Sequence, residues 1–302
     1  MRAADLLIGP RGRDLCWSLT AAGAEFTENG ALAALADATT MAVYWQEPIE
    51  HHLARPGVSL EPVAERLAAG DVTTGWAAPI ALDDQHVVDL DIAGHPARTP
   101  DPAALRGQLA ALTAEHTRAI PSRDDADRNI DWRTTSGVWW SAPSTHPGVH
   151  TTRSVGGRPL GLLLVEDDPS ADTARSWRIR APRTARVLEL GAPADWVELV
   201  GRYPLDVTAG KRGDWWRATG RDGGWLMPDW PAVAGDWDAV HLSIAGYLTT
   251  AGRALDVDGG YATVLAGWDP DATFWFDDVI GVAGDVTRWS RDADLLGWTQ
   301  VG

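Results

Sequence analysis

Short apolar runs separated by glycine, proline and aspartate fill the chain from residue 137 onward. Most are rich in β-branched and aromatic residues, a composition typical of strands. The pattern predicts strands at GVWWSAP, RPLGLLLVEDD, RSWRIRA, ARVLELG, DAVHLSIAGYL, YATVLAGW and ATFWFDDVIG. APADWVELVGRYP and MPDWPAVAGDW are predicted as helices, because the first has a carboxylate in its opening turn and the second begins with Asp229 and Pro231. Many strands with few helices favour a largely antiparallel sheet.

The first 118 residues mix helix and strand patterns. ADLLIG and TTMAVYW are predicted as short strands, and QHVVDLDIAG alternates apolar and polar residues like a third. SLEPVAERLAAG is a predicted helix with Ser59 as its cap, and DPAALRGQLAALTAEHTRAI is a longer one. This part is therefore predicted to be a small α+β module.

The tryptophans divide the chain unequally, since three of the seventeen precede residue 131 and fourteen follow it. Between the two parts lies the polar segment AIPSRDDADRNID, which is typical of a linker. We predict an α+β chain with a small α+β module at 1–118 and a linker at 119–131. A Trp-rich, mainly antiparallel sheet domain with two short helices and the candidate site is predicted at 132–302.

The net charge of −16 restricts the partners. Nucleic acid and anionic membranes are disfavoured, because both bind proteins mainly through lysine and arginine. Cys16 is the only cysteine, so no disulfide can form within the chain. No apolar run has the length of a signal peptide core or a membrane span. We expect a cytoplasmic protein acting on a small-molecule or protein substrate, and the sequence does not define its oligomeric state.

Three common motifs are missing from the sequence. It contains neither a phosphate-binding G-x-x-x-x-G-K-[ST] loop nor a G-x-G-x-x-G turn between a strand and a helix. It also lacks the G-x-S-x-G motif of α/β-hydrolases. A hydrolase of a sugar or an ester stays open, because paired catalytic carboxylates can come from distant strands.

The segment DWDAVHLSIAGYL contains the most regular alternation in the chain. As a strand it would place Val240, Leu242 and Ile244 on the core face. His241 and Ser243 would share the opposite face, which meets solvent or lines a cleft. Tyr247 joins this polar face if the strand continues in register.

A second group of polar side chains follows in STHPGVHTTRS. His146 and His150 have a spacing that suits zinc on a helix, but the Pro-Gly pair between them disfavours a helix and no metal is predicted. Thr152 and Arg153 offer a hydroxyl and a guanidinium at a strand edge. A guanidinium can bind a phosphate or carboxylate with two parallel hydrogen bonds.

Two acidic stretches admit two interpretations each. Glu166, Asp167 and Asp168 end an apolar run, where carboxylates mark either a solvated strand exit or acid–base groups. Asp269 and Asp271 lie in the turn WDPDA, where aspartate commonly bonds to its own loop backbone. The second interpretation places Asp271 in a cleft as a catalytic carboxylate.

The order of these residues along 139–276 resembles that of the mono-ADP-ribosyltransferases. In that family NAD lies in the cleft of a split, mainly antiparallel sheet. The resemblance implies that Arg153 or His150 holds the NAD phosphates, that Ser243 or Tyr247 lies near the nicotinamide, and that Asp271 takes the acidic position. The predicted sets are then His241, Tyr247 and Asp271 for catalysis and His150, Thr152, Arg153 and Ser243 for NAD.

Three hypotheses about function follow. The first is an enzyme with its cleft in the C-terminal part, most concretely an NAD-dependent ADP-ribosyltransferase. The second is a binding or immunity-type protein without enzymatic activity, whose acidic surface and tryptophans form an interaction surface. The third is a hydrolase of a sugar or an ester. The first two differ in whether His241 and Asp271 or exposed tryptophans carry the function.

Overall fold

The structure is a computed structural model. It describes residues 1–21, 26–40, 59–92, 104–118, 133, 137–143, 150–166, 171–276, 280–292 and 297–301. The predicted linker at 119–131, most of TTMAVYW, and the side chains His146, Asp167 and Asp168 lie outside the described residues.

Helices dominate the beginning of the chain. They are α1 (Ala3–Ile8), α2 (Pro10–Ala21), α3 (Glu28–Thr40) and α4 (Glu61–Ala68). The helix predicted at SLEPVAERLAAG is confirmed by α4, whereas the strand predicted at ADLLIG is wrong because this run forms α1. A run of six residues fits a helix turn as well as a strand, and burial of Leu6 against the neighbouring helices selects the helix.

The rest of the chain contains both helices and strands. The helices are α5 (Ala104–Thr117), α6 (Pro193–Arg202), α7 (Thr208–Thr219), α8 (Trp230–Asp236) and α9 (Ile244–Thr250). The first strands are β1 (Gln85–Leu90), β2 (His150–Thr151), β3 (Ser154–Val155), β4 (Arg158–Pro159), β5 (Thr173–Arg180), β6 (Val187–Leu190) and β7 (Pro204–Asp206). They are followed by β8 (Gly224–Pro228), β9 (Ala239–Leu242), β10 (Leu255–Asp256), β11 (Tyr261–Thr263), β12 (Thr273–Trp275), β13 (Gly281–Arg291) and β14 (Trp298–Val301).

The strands form three four-stranded sheets and a small hairpin. The sheet orders are β1-β5-β13-β14, β2-β12-β9-β6 and β10-β11-β8-β7, and β3 pairs with β4. Only the pairs β6–β9 and β8–β11 are parallel among the described ladders. The predicted α+β class with mainly antiparallel sheets is therefore confirmed. In the part of the chain that the structure describes, no helix is both long and apolar enough to cross a membrane.

Several predicted strands of the second part are wrong. Only the first two residues of RPLGLLLVEDD are in a strand, β4, and a 3-10 turn follows at Leu160–Leu162. Residues 137–143, which are GVWWSAP, are not in a strand. DAVHLSIAGYL is a strand only as far as Leu242, where helix α9 begins after Ser243. The described part of 132–302 thus contains four α-helices, α6 to α9, where two were predicted.

The cause of the change at Leu242 is a helix cap. The hydroxyl of Ser243 accepts a hydrogen bond from the backbone N–H of Gly246 at 3.0 Å, as a serine cap does. Every residue of α9 is buried, so its apolar sequence has no polar face from which a helical period can be read. The predicted place of Tyr247 on the strand face of His241 is therefore wrong, and Tyr247 belongs to α9.

Most tryptophans in the described ranges are buried in the core, and the others are partly buried. The ring of Trp268 lies 6.1 Å from that of Trp196, 5.8 Å from that of Trp230 and 5.1 Å from that of Phe274. Within the described ranges no tryptophan is exposed, and the large exposed apolar side chains are valines and an isoleucine. An interaction surface made of tryptophans is therefore not supported among these residues.

Residues from both sides of 119–131 share the same layers. Strand β1 pairs with β5 along its whole length, and one core cluster includes Leu35 of α3 as well as Leu248 of α9. Lys211, the only lysine, is completely buried and donates from Nζ to the carbonyl oxygens of Val138 and Trp140, each at 2.6 Å. These contacts hold the segment after the linker against α7.

We predict that Gly246→Ala destabilises the fold. A Cβ at this position would overlap the carbonyl oxygen of Leu190, so α9 would have to move away from β6. The expected loss is about 1–3 kcal/mol in the free energy of unfolding, measured by urea denaturation.

Gly107→Ala is the matched control, because Gly107 also lies inside a helix but a Cβ there meets nothing within 4 Å. This variant should be more stable by about 0.5–1 kcal/mol, since alanine loses less backbone entropy than glycine. Equal stabilities of the two variants would contradict the close packing of α9 on β6.

Candidate functional site

His241 lies at the centre of the sheet β2-β12-β9-β6. On β9 it is paired in register with Glu189 of β6 on one side and with Thr273 of β12 on the other. Paired residues of neighbouring strands share a face, so these side chains form one polar row across the sheet. The face is covered rather than open, because Ala239 and Trp275 on it pack with Val87 and Ile179 of the neighbouring sheet. The prediction that this face meets solvent or an open cleft is therefore wrong at His241, which is 1% exposed.

Two carboxylates flank the imidazole of His241. Its Nδ1 lies 2.6 Å from Oε2 of Glu189, and its Nε2 lies 3.7 Å from Oδ1 of Asp271. The first distance is that of a short charge-assisted hydrogen bond, and the second is that of an ion pair. The carboxylate of Asp271 is 3% exposed, whereas that of Glu189 is 37% exposed. The array therefore runs from a buried end at Asp271 to an accessible end at Glu189.

Arg153 compensates the negative charge of Asp271. Its Nε lies 3.2 Å from Oδ1 of Asp271, and its backbone N–H donates to Oδ2 at 3.1 Å. The guanidinium also donates from Nη1 to the carbonyl oxygen of Gly75 at 2.7 Å. With a protonated His241, two positive and two negative charges sum to zero in this array. A buried charge needs such pairing because removing it from water is expensive.

Asp271 reaches this position through an unusual backbone conformation. Its φ of 62° is the only positive φ of a non-glycine residue in the described chain. Aspartate tolerates this left-handed region better than most residues, but the conformation still costs on the order of 1 kcal/mol. The strained turn aims the carboxylate inward at His241 and Arg153.

The segment 75–80 covers the array. Besides Gly75, which accepts from Arg153, the backbone N–H of Ile80 donates to Oε1 of Glu189 at 3.0 Å. The carbonyl oxygen of Trp76 accepts from the N–H of Ala245 at the start of α9. A stretch from the first part of the chain thus fixes both ends of the array.

The environment raises the pKa of His241 to about 8. Burial alone would lower it, because the charged imidazolium loses hydration, but the carboxylates of Asp271 and Glu189 outweigh this effect. His241 is consequently protonated at neutral pH, and both ring nitrogens then carry hydrogens that point at carboxylates.

His150 and Tyr247 belong to a second polar cluster. His150 is paired with Phe274, one position away from the Thr273 row, so it lies on the opposite face of the sheet. Its Nε2 is 3.3 Å from Oδ2 of Asp269, whose Oδ1 accepts from the backbone N–H of Glu166 at 2.7 Å. The hydroxyl of Tyr247 donates to Oε1 of Glu166 at 2.9 Å.

The two remaining predicted residues act on the local backbone. The hydroxyl of Ser243 caps α9, and that of Thr152 accepts from the N–H of Gly161 at 2.9 Å. Of the seven predicted site residues, the structure therefore brings together His241, Asp271 and Arg153. It places Tyr247 and His150 in a separate cluster, and Ser243 and Thr152 in backbone contacts.

Glu189 is the residue that the sequence prediction missed. It lies in ARVLELG, which is predicted and confirmed as a strand, β6. A lone carboxylate between two leucines of a strand was the available signal, because a buried sheet admits a charge only beside a partner. The partner could not be identified from the sequence, since β6 and β9 are 48 residues apart and pair in parallel.

Comparison with known proteins identifies no relative. No family model, curated protein or solved structure matches the chain. Among the described residues no group of three or more His, Cys, Asp or Glu side chains is arranged to hold a metal ion.

We predict that the stability of the protein falls as the pH rises through about 8. The pKa of His241 is higher in the folded protein, at about 8, than its ordinary value of 6.5, so protons favour the folded state. The contribution is complete below pH 6.5 and is lost above the folded pKa. It amounts to about 2 kcal/mol, since one unit of pKa corresponds to about 1.4 kcal/mol. Urea unfolding between about pH 6 and pH 9 measures it.

His241→Gln should be less stable at neutral pH and should lose this part of the pH dependence. His86→Gln is the control, because His86 is partly exposed and lies outside the array. A pH profile that is the same in His241→Gln and in the unmodified protein would contradict the assignment.

Proposed function

We propose that the chain is an enzyme that uses the carboxylate of Glu189 for proton transfer, with His241 and Asp271 as positioning residues behind it. The observation that carries the proposal is the array Glu189–His241–Asp271, which has one accessible carboxylate at its end. The strained backbone of Asp271 supports the proposal, because such strain is concentrated at functional sites. The raised pKa of His241 supports the proposal as well, because perturbed pKa values are also concentrated at functional sites.

The array suits acid–base chemistry for an electrostatic reason. The hydrogen bond from Nδ1 of the protonated His241 fixes the orientation of the Glu189 carboxylate. When the carboxylate accepts a proton from water or from an acceptor hydroxyl, the oxygen of that nucleophile forms the new bond to the substrate. The bond to the leaving group then breaks with its electron pair, and the proton held by Glu189 is returned to the leaving group.

NAD does not fit the residues that the resemblance implies. Arg153, the predicted phosphate ligand, is engaged by Asp271 and Gly75, and the hydroxyl of Ser243 is used as a helix cap. Tyr247 and His150 lie in the other cluster. No step of the proposed reaction therefore uses NAD. ADP-ribosyl transfer stays a prediction, as do the cytoplasmic location and the hydrolysis of sugars or esters.

The proposed function predicts that Glu189→Gln lowers kcat by about 10²–10⁴-fold, the usual contribution of a positioned acid–base group. Turnover is measured on a panel of chromogenic glycosides and esters, and nicotinamide release is measured with NAD. Glu198→Gln is the matched control, because this carboxylate lies on the exposed face of α6. Turnover in the unmodified protein with equal kcat in both variants would exclude Glu189.

His241→Gln separates a positioning role from a structural one. The unmodified enzyme should lose activity as the pH rises through about 8, where His241 loses its proton. In the His241→Gln variant, kcat/KM should not fall as the pH rises through about 8, provided that the variant is folded over this pH range. If no member of the panel and no NAD is turned over, the proposed function fails for these substrate classes.

A further inference from the structure

Positive charge is concentrated in one short segment of this acidic chain. The twelve residues 175–186, RSWRIRAPRTAR, contain five arginines and no carboxylate, although the whole chain has a net charge of −16. Arg175 is paired with Asp89 and Arg186 with Asp238. Arg178, Arg180 and Arg183 form no ion pair with a carboxylate in the described ranges. A positive field of this kind attracts anions.

Two of these arginines line a cavity of about 540 Å³. It lies where β5 ends, between the turn at Leu82 and Asp83 and the bulge of β13 at Ala283 and Gly284. Cavities of roughly 300–1,000 Å³ are typical of small-molecule sites. No member of the Glu189 array lines the cavity.

The arginines are arranged as a pair. Arg178 and Arg180 alternate with the buried Ile179, so their side chains leave the same face of β5. Arg178 is oriented by a hydrogen bond from Nη2 to the carbonyl oxygen of Asp83 at 2.9 Å. Arg180 has no hydrogen-bond or ion-pair partner in the described part of the chain, so its guanidinium is available to a ligand.

We propose that this cavity binds a small phosphorylated sugar. The guanidiniums of Arg178 and Arg180 would hold the phosphate, for which their planar, bidentate geometry is well suited. The carboxylate of Asp83 repels a bare anion but accepts hydrogen bonds from sugar hydroxyls. Leu82 and Ala283 supply apolar contact for the ring. This inference does not depend on the proposed function, because it uses none of the same residues.

Titration calorimetry tests the proposal with ribose 5-phosphate, ribose and inorganic phosphate as the probes. Ribose 5-phosphate should bind, ribose should not, and inorganic phosphate should bind more weakly than the sugar phosphate. Arg180→Gln should weaken the binding of ribose 5-phosphate by about tenfold or more, as expected for loss of a charge-assisted hydrogen bond. Asp83→Asn should strengthen the binding of inorganic phosphate, because the repelling charge is removed. It should strengthen the binding of ribose 5-phosphate less, because an amide is a poorer hydrogen-bond acceptor for the sugar hydroxyls than a carboxylate.

Arg183→Gln is the matched control, because it removes the same charge from the adjacent turn but does not line the cavity. Its effect should stay within about twofold, the size expected for a screened, distant charge. If Arg180→Gln and Arg183→Gln weaken the binding of ribose 5-phosphate equally, the proposed site is wrong and the arginines attract anions only through their general positive charge. Absence of ribose 5-phosphate binding by the folded protein would overturn the proposal altogether.

Discussion

A protonated imidazole held between two carboxylates inside a sheet is the interaction on which this region of the molecule depends. His241 is charged at neutral pH only because Glu189 and Asp271 compensate for the hydration it has lost. Asp271 in turn requires Arg153, and removing one partner of such a buried pair typically costs about 3–5 kcal/mol. Strand β6, the turn before β12 and the segment 75–80 are therefore fixed relative to one another by charge balance.

The turn between Trp268 and Ala272 serves both faces of the central sheet. Asp269 contacts His150 and the backbone of Glu166 on one side, whereas Asp271 contacts His241 and Arg153 on the other. The turn matches neither interpretation in full, because Asp269 bonds to the backbone of another loop at Glu166 and Asp271 lies in a buried array instead of a cleft. The left-handed conformation at Asp271 allows two carboxylates so close in sequence to have different environments.

Internal pairing separates structural polar groups from those that can meet a ligand. The hydroxyl groups of Ser243, Thr152 and Tyr247 are each hydrogen-bonded to a partner within the chain. Glu189 keeps an accessible oxygen surface, and Arg180 extends from a strand beside a cavity. Polar residue type alone, which the sequence displays, does not distinguish these cases, since the partner decides whether a group is satisfied.

By itself the sequence determined the α+β class, the mainly antiparallel sheets and the elements with clear signals. Helix α6 has its carboxylate in the first turn and strand β1 its alternation, and both are local features of a few neighbouring residues. The same local view also selected His241, Asp271 and Arg153. Only the tertiary structure decided that α1 and α9 are helices. The run that forms α1 is too short to distinguish a helix from a strand, and burial on all sides of α9 removes the periodicity from which a helix is recognised. The tertiary structure alone paired Glu189 with His241 and separated Tyr247 and His150 from them, because strand register and turn conformation are set by contacts between distant segments.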